Sequence, residues 1–134
     1  MFLNVPIATL CVSPSASLRE AVAVMQNGCK QITLVVDGER RLLGTITDGD
    51  VRRAILQGIS METAAGEIMQ KSFSAGRDSD LASDIFALMQ EKLLRHVPLL
   101  DTAGVLVDLV WISDLIKQDQ PDLSAVVMAG GFGK

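Results

Sequence analysis

The stretch GTITDGDVRR, residues 44–53, holds the residue types in this chain best suited to chemistry. Thr47 closes a run that reads as a strand, and Asp50 follows three residues later, in the first turn of the next helix. Amides at a helix start lack intrahelical partners and carry partial positive charge, so an anion is welcome there. Gly44, inside the strand, permits close approach of a ligand or of another backbone. Thr45 and Thr47 offer hydroxyls, and Arg52 and Arg53 add positive charge. A threonine hydroxyl can help hold a phosphate, and an ionised Asp50 can accept hydrogen bonds from a ribose diol. Together these groups suit the sugar-phosphate part of a nucleotide. Thr-x-x-Asp is equally a helix-capping pattern, so taken alone it also has a purely structural explanation.

Other chemistries find no support. The chain has one histidine, His96, and two cysteines, Cys11 and Cys29, with no CxxC spacing. No local zinc set can be assembled from these, and no metal site is expected. The cysteines read as two buried thiols in a reducing compartment. No nucleophile, base and orienting group come together as a catalytic set, so no catalytic residue is assigned. The net charge of −4, with both signs interspersed, argues against a nucleic-acid partner, which draws on a basic face. No apolar run approaches the ~20 residues of a membrane span. The apolar start, MFLNVPIATLCV, lacks a leading Lys or Arg and is broken by Pro6, so it reads as a buried segment of a cytoplasmic protein.

The elements that position GTITDGD occur twice. Sliding the sequence by 64 positions lays residues 24–53 over residues 88–117 without a gap. Met25-Gln26 meets Met89-Gln90, Asp37 meets Asp101, and Asp50 meets Asp114. Upstream, a slip of one would lay Leu18 on Leu81. Each half runs helix, strand, strand, helix. In the first, SLRE at residues 17–20 is a capping box, and Leu18, Ala21, Val22 and Met25 recur at helical spacing before a stop at Gly28. In the second, Asp78 or Ser79 could cap a helix striped by Leu81, Ile85, Leu88 and Met89. ITLVVD and LLGTIT flank a turn at Gly38, with Asp37-Gly38 as a hairpin signal; HVPLLD and VLVDLVWI flank one at Gly104. A short extended lead precedes each helix: residues 7–12 in the first half and 64–75 in the second. The strand runs are nearly all apolar, so both faces should be covered. Units of about 60 residues bury little alone. Two should pack sheet on sheet as a pseudo-twofold pair, with two equivalent clefts between them.

Gly-x-x-Thr-x-x-Asp directly after a hairpin, repeated once, resembles the ligand motif of CBS domains, the modules named after cystathionine β-synthase. The resemblance covers residues 7–119 and implies an α+β fold of two CBS repeats, at 1–58 and 59–119. It puts Thr47 on the ribose or phosphate of an adenine nucleotide such as AMP, ADP or ATP, and Asp50 on the ribose hydroxyls. RHVPLLD, residues 95–101, resembles the strand lining the adenine and phosphate region, which implicates His96 and Pro98. The second half departs from the pattern: Asp108 stands in place of Gly44 and Trp111 in place of Thr47, while Asp114 is kept. Its cleft is therefore altered, empty or selective for something else. Trp111 reads either as core or as a stacking platform for a base. CBS pairs commonly associate as homodimers, so a ligand-independent dimerisation module is the alternative.

After a polar linker, residues 120–124, AVVMAGGFGK resembles the opening of sugar-nucleotide pyrophosphorylases, which join a sugar 1-phosphate to a nucleoside triphosphate. Gly130, Gly131, Gly133 and Lys134 match the start of their phosphate loop. That resemblance implies a regulatory pair cut just inside a C-terminal nucleotidyltransferase domain, with 120–134 as linker and first residues. Mg2+ is expected only in that catalytic domain. TDGDVRR also resembles the CBS segment of sugar-phosphate isomerases, including arabinose 5-phosphate isomerase.

Overall fold

The computed structural model describes residues 5–113. A 3-10 turn at Ile7–Leu10 leads into β1 (Cys11–Val12) and then α1 (Leu18–Gly28). The expected capping box is formed: the Glu20 amide donates to Ser17 Oγ at 3.1 Å and the Ser17 amide to Glu20 Oε1 at 3.0 Å. Such a cap contributes about 1 kcal/mol. Helix α1 ends at Gly28, but Cys29, with φ 58°, makes the left-handed turn. Gly28 serves packing instead, because a Cβ there would lie 2.2 Å from Cδ2 of Leu10.

The hairpin of β2 (Ile32–Val36) and β3 (Leu42–Thr47) closes through Asp37, whose Oδ1 accepts from the Glu39 and Arg41 amides, each at 2.9 Å. Arg40, at φ 69°, is its left-handed residue, and a Cβ on Gly38 would touch nothing. The Asp-Gly pair therefore marks an aspartate-tied loop rather than a tight two-residue turn. Helices α2 (Asp48–Leu56) and α3 (Ala65–Ile68) follow, then β4 (Gly76–Arg77), α4 (Ala82–Lys92), β5 (His96–Leu100) and β6 (Leu106–Trp111). Residues 112 and 113 begin a further helix, whose remainder, with Lys117, lies outside the described residues.

Two three-stranded sheets result, ordered β1-β2-β3 and β4-β5-β6, each with one parallel and one antiparallel pairing. Their registers are copies of each other. Ile32 pairs with Thr47 as His96 pairs with Trp111, and the bulge at Val35/Val36 recurs at Leu99/Leu100. Asp101 ties its hairpin as Asp37 does, accepting from the Ala103 and Val105 amides at 2.8 and 3.0 Å. Arg41 and Val105, equivalent positions of the two hairpins, bridge to each other, which puts the pseudo-twofold axis between them.

Several expectations need correction. The slip of one does not occur within the helix: Leu18 is fully buried, whereas Leu81 is 66% exposed and is the N-cap residue of α4. Neither Asp78 nor Ser79 caps α4; Leu81 does, with no side-chain bond to offer. The extended lead of the second half is Gly76–Arg77, just beyond residues 64–75, and the helical turn within those residues is Ala65–Ile68. Cys29 is exposed, and only Cys11 is half-buried. Burial pushes the Cys11 thiol up to about 11, with Arg40 pulling slightly the other way.

The sheets face each other across a core that includes Leu34, Val36 and Leu42 from the first half and Leu106 and Leu109 from the second. The outer face of the first sheet is covered by α1 and α2 through Leu18, Ala21, Met25, Val51 and Ala54. The outer face of the second is covered by α4 through Ile85 and Met89. Residues 59–69 pack on the first half: Met61, Ile68 and Met69 join its outer core, and Ala64 bridges to Ser17.

Candidate functional site

A cleft of about 550 Å³ opens between the halves, where the end of β3 and the start of α2 face the start of β5. This volume falls in the range of small-molecule sites. Six sequence-predicted residues line it: Thr45, Thr47, Asp50, Arg52, His96 and Pro98. The fold brings them together because β3 and β5 begin or end at the same edge of the paired sheets.

Gly44 does not face this cleft. A Cβ on it would lie 2.6 Å from Sδ of Met69, so the glycine makes room for that side chain and not for a ligand. Asp114 and the phosphate-loop residues Gly130, Gly131, Gly133 and Lys134 lie outside the described residues.

Asp50 is only 5% exposed and its carboxylate is fully engaged. Oδ2 accepts from the Thr47 amide at 2.9 Å and the Thr47 hydroxyl at 3.0 Å. Oδ1 accepts from the Arg53 guanidinium and, at 3.3 Å, from Nε2 of Gln70. The capping role of Thr-x-x-Asp is thus present in the structure. A carboxylate has about four acceptor positions. A ribose diol at Asp50 would therefore displace one of these donors, and the long, neutral Gln70 contact costs least to give up.

His96 has a different setting. Its Nε2 lies 2.6 Å from the Lys30 carbonyl oxygen, and its ring stacks on Trp111 with centroids 6.2 Å apart and planes 3° apart. Burial lowers its pKa; the Lys30 carbonyl works against that and the Arg95 charge adds to it. The neutral imidazole accordingly donates Nε2–H to Lys30. Nζ of Lys30 sits 5.3 Å from the centre of the Trp111 ring. Trp111 is the counterpart of Thr47, while Lys30 and His96 are the counterparts of Leu94 and Ile32. Thr47 leaves Leu94 and Ile32 open to the first cleft; the Trp111 ring lies against their counterparts.

Gln70 and Arg95 are among the lining residues that the sequence reading did not single out. Gln70 reaches the cleft through paired backbone hydrogen bonds with Thr45, at 3.1 and 2.8 Å, a long-range contact with no local signature. Arg95 stands beside His96 at the strand mouth, and that adjacency was its signal. Among the described residues no cluster of three His, Cys, Asp or Glu could hold a metal ion. No described helix is long and apolar enough to cross a membrane.

The model of the family described as CBS domain matches residues 5–57. A solved protein with CBS domains from Burkholderia ambifaria is 30% identical, with a TM-score of 0.74, and the match covers 90% of this chain and 91% of that one. The chain belongs to the CBS-domain family. Its duplicated α+β architecture is that of a CBS pair, a regulatory and binding module. An uncharacterised protein of Rickettsia prowazekii is 32% identical over 106 residues, covering 79% of this chain and 33% of its own length. An arabinose 5-phosphate isomerase of Yersinia pestis is 31% identical over 109 residues, covering 79% and 32%. The chain spans about a third of the length of these curated relatives.

Proposed function

We propose that this CBS pair is a nucleotide sensor whose first cleft binds an adenine nucleotide and passes its occupancy to a catalytic domain of the same chain. The observation that carries this reading is the composition of the cleft. Thr47 and Asp50 at a helix start, with Arg52, Arg53 and Arg95, adjoin an apolar surface that includes Ile32, Leu94 and Pro98. Such a mixture suits a flat apolar base at one end and a sugar phosphate at the other. Control of a distant activity requires that the nucleotide bind two states of the pair unequally. Calorimetry on the folded 134-residue chain with AMP, ADP, ATP and S-adenosylmethionine tests it, and silence from all four ends the sensing reading.

Ligand-independent homodimerisation through the CBS faces is the second reading, favoured by Ile55 and Leu56 on α2, which are 57% and 86% exposed. Asp50→Asn separates the two. It keeps an oxygen for the Thr47 amide but loses the charge, so a sensor loses roughly tenfold or more in nucleotide affinity while a dimerisation device is untouched.

The catalytic partner we propose is a sugar-1-phosphate nucleotidyltransferase, on the strength of Gly130, Gly131, Gly133 and Lys134. The match to an arabinose 5-phosphate isomerase favours the other candidate, a sugar-phosphate isomerase. Assaying the full-length protein for both reactions, with and without the bound nucleotide, decides between them.

A further inference from the structure

The buried carboxylate at the first cleft is fully engaged by the chain itself. Asp50 accepts from four donors, two on each oxygen, which is about as many as a carboxylate can take. Three of them belong to the helix start: the Thr47 amide, the Thr47 hydroxyl and the Arg53 guanidinium, all within three residues of Asp50. The fourth comes from the segment that joins the two halves. Gln70 reaches Oδ1 with Nε2 at 3.3 Å, the longest of the four contacts, from a residue that is itself exposed.

The main chain of Gln70 is held in place by its two hydrogen bonds with Thr45, at 2.8 and 3.1 Å. A second cavity, of about 190 Å³, adjoins the first cleft at this point. Asp50, Arg53 and Gln70 line both, so they form the partition between them. The second cavity is several times the ~30 Å³ share of a water molecule. Gln57 and Glu67 in its lining offer polar groups to a primary amide. From one fixed backbone position the Gln70 side chain therefore has two polar destinations, Asp50 or the side cavity.

We propose that Gln70 is an internal competitor for the first cleft: its amide holds the sugar-hydroxyl position on Asp50 and swings into the side cavity when a ligand hydroxyl takes that position. The proposal rests on the adenine-nucleotide reading above and adds what the ligand must displace. The other three donors are costlier to lose. The Thr47 amide and hydroxyl bonds cap α2, and Arg53 is the counter-ion of a buried carboxylate. Only the fraction of molecules with Gln70 turned away is ready for the sugar, so apparent affinity is lowered by that fraction. Gln70 thereby sets the ligand concentration at which the module responds, without touching the bound nucleotide.

The test is calorimetry with AMP, ADP and ATP, each beside its 2′,3′-dideoxy form, on the unaltered chain and on Gln70→Met and Gln70→Ala. Met is near in size and lacks the amide; Ala removes the bulk as well. Both keep the backbone bonds to Thr45, so both are expected to fold, and a thermal melt checks this. Whichever ribonucleotide binds the unaltered chain binds both variants tighter by roughly two- to tenfold, the value of one neutral hydrogen bond. Its dideoxy form, which has no hydroxyl to place on Asp50, gains nothing. The proposal is overturned if either variant leaves ribonucleotide affinity unchanged or weaker, or if the dideoxy form gains as much. Those results would leave the nucleotide-sensing reading standing, whereas no binding by any of the three ribonucleotides to the folded unaltered chain would remove both.

Discussion

The two halves of this chain agree where the backbone must be organised and differ where a cleft begins. Their hairpins are tied by Asp37 and Asp101 through matching pairs of amides, and their central strands bulge at equivalent places. Their first helices end on left-handed residues, Cys29 at φ 58° and Leu93 at φ 56°. The end of the second strand tells another story. In the first half Thr47 bonds Asp50 and leaves a cavity. In the second half Trp111 stands in its place, stacked on His96, with its Nε1–H buried and without a hydrogen-bond partner among the described residues. A duplicated scaffold can thus keep its geometry while the residue at one strand end changes, because strand-end side chains contribute little to the register that holds the sheets.

The sharpest way to break that comparison is Trp111→Thr, which restores the first half's residue. The unaltered chain is expected to bind one nucleotide. The variant is expected to take up a second, weaker equivalent, read as a change in calorimetric stoichiometry. Removing the ring also costs about 1–2 kcal/mol in urea unfolding, since lost packing outweighs relief of the unpartnered N–H. A stoichiometry of two before mutation would show that the tryptophan does not close the second cleft.

The helix starts provide a smaller contrast. Ser17→Ala removes a working cap and should cost about 1 kcal/mol. Leu81→Ser installs a cap where an exposed leucine now stands, and should stabilise by about 0.5–1 kcal/mol. Effects of the same sign in both variants would mean that the two helices do not start alike.

The smallest effect concerns His96, whose counterpart Ile32 cannot titrate. Its folded pKa is lowered, so the unfolded chain binds the proton more readily. Its contribution to stability is complete above the unfolded value of about 6.5 and declines as pH falls toward the folded pKa. His96→Asn should flatten that part of the stability-against-pH curve. An unchanged slope would place the ring in water instead of against Lys30 and Trp111.

The duplication, both hairpins and the Ser17 cap were legible because each depends on local spacing or on a repeat of fixed offset; that His96 would join Thr47 and Asp50 came only from the resemblance of RHVPLLD to a CBS strand. The misreadings share a cause as well. Gly28 and Gly44 look like conformational or ligand-facing glycines, yet each makes room for a side chain from elsewhere, Leu10 and Met69. Leu81 looks like part of an apolar stripe, but the helix starts one residue later and leaves it in solvent.

Chain order and periodicity by themselves determined the two units, their strands and the residue types at the cleft. Only the packing of one unit on the other decided which side chains line the first cleft, which arginines are already paired and which glycine meets a side chain. Those are contacts between residues far apart in the chain. Their energies depend on distance through space, and neither composition nor spacing along the sequence carries that distance.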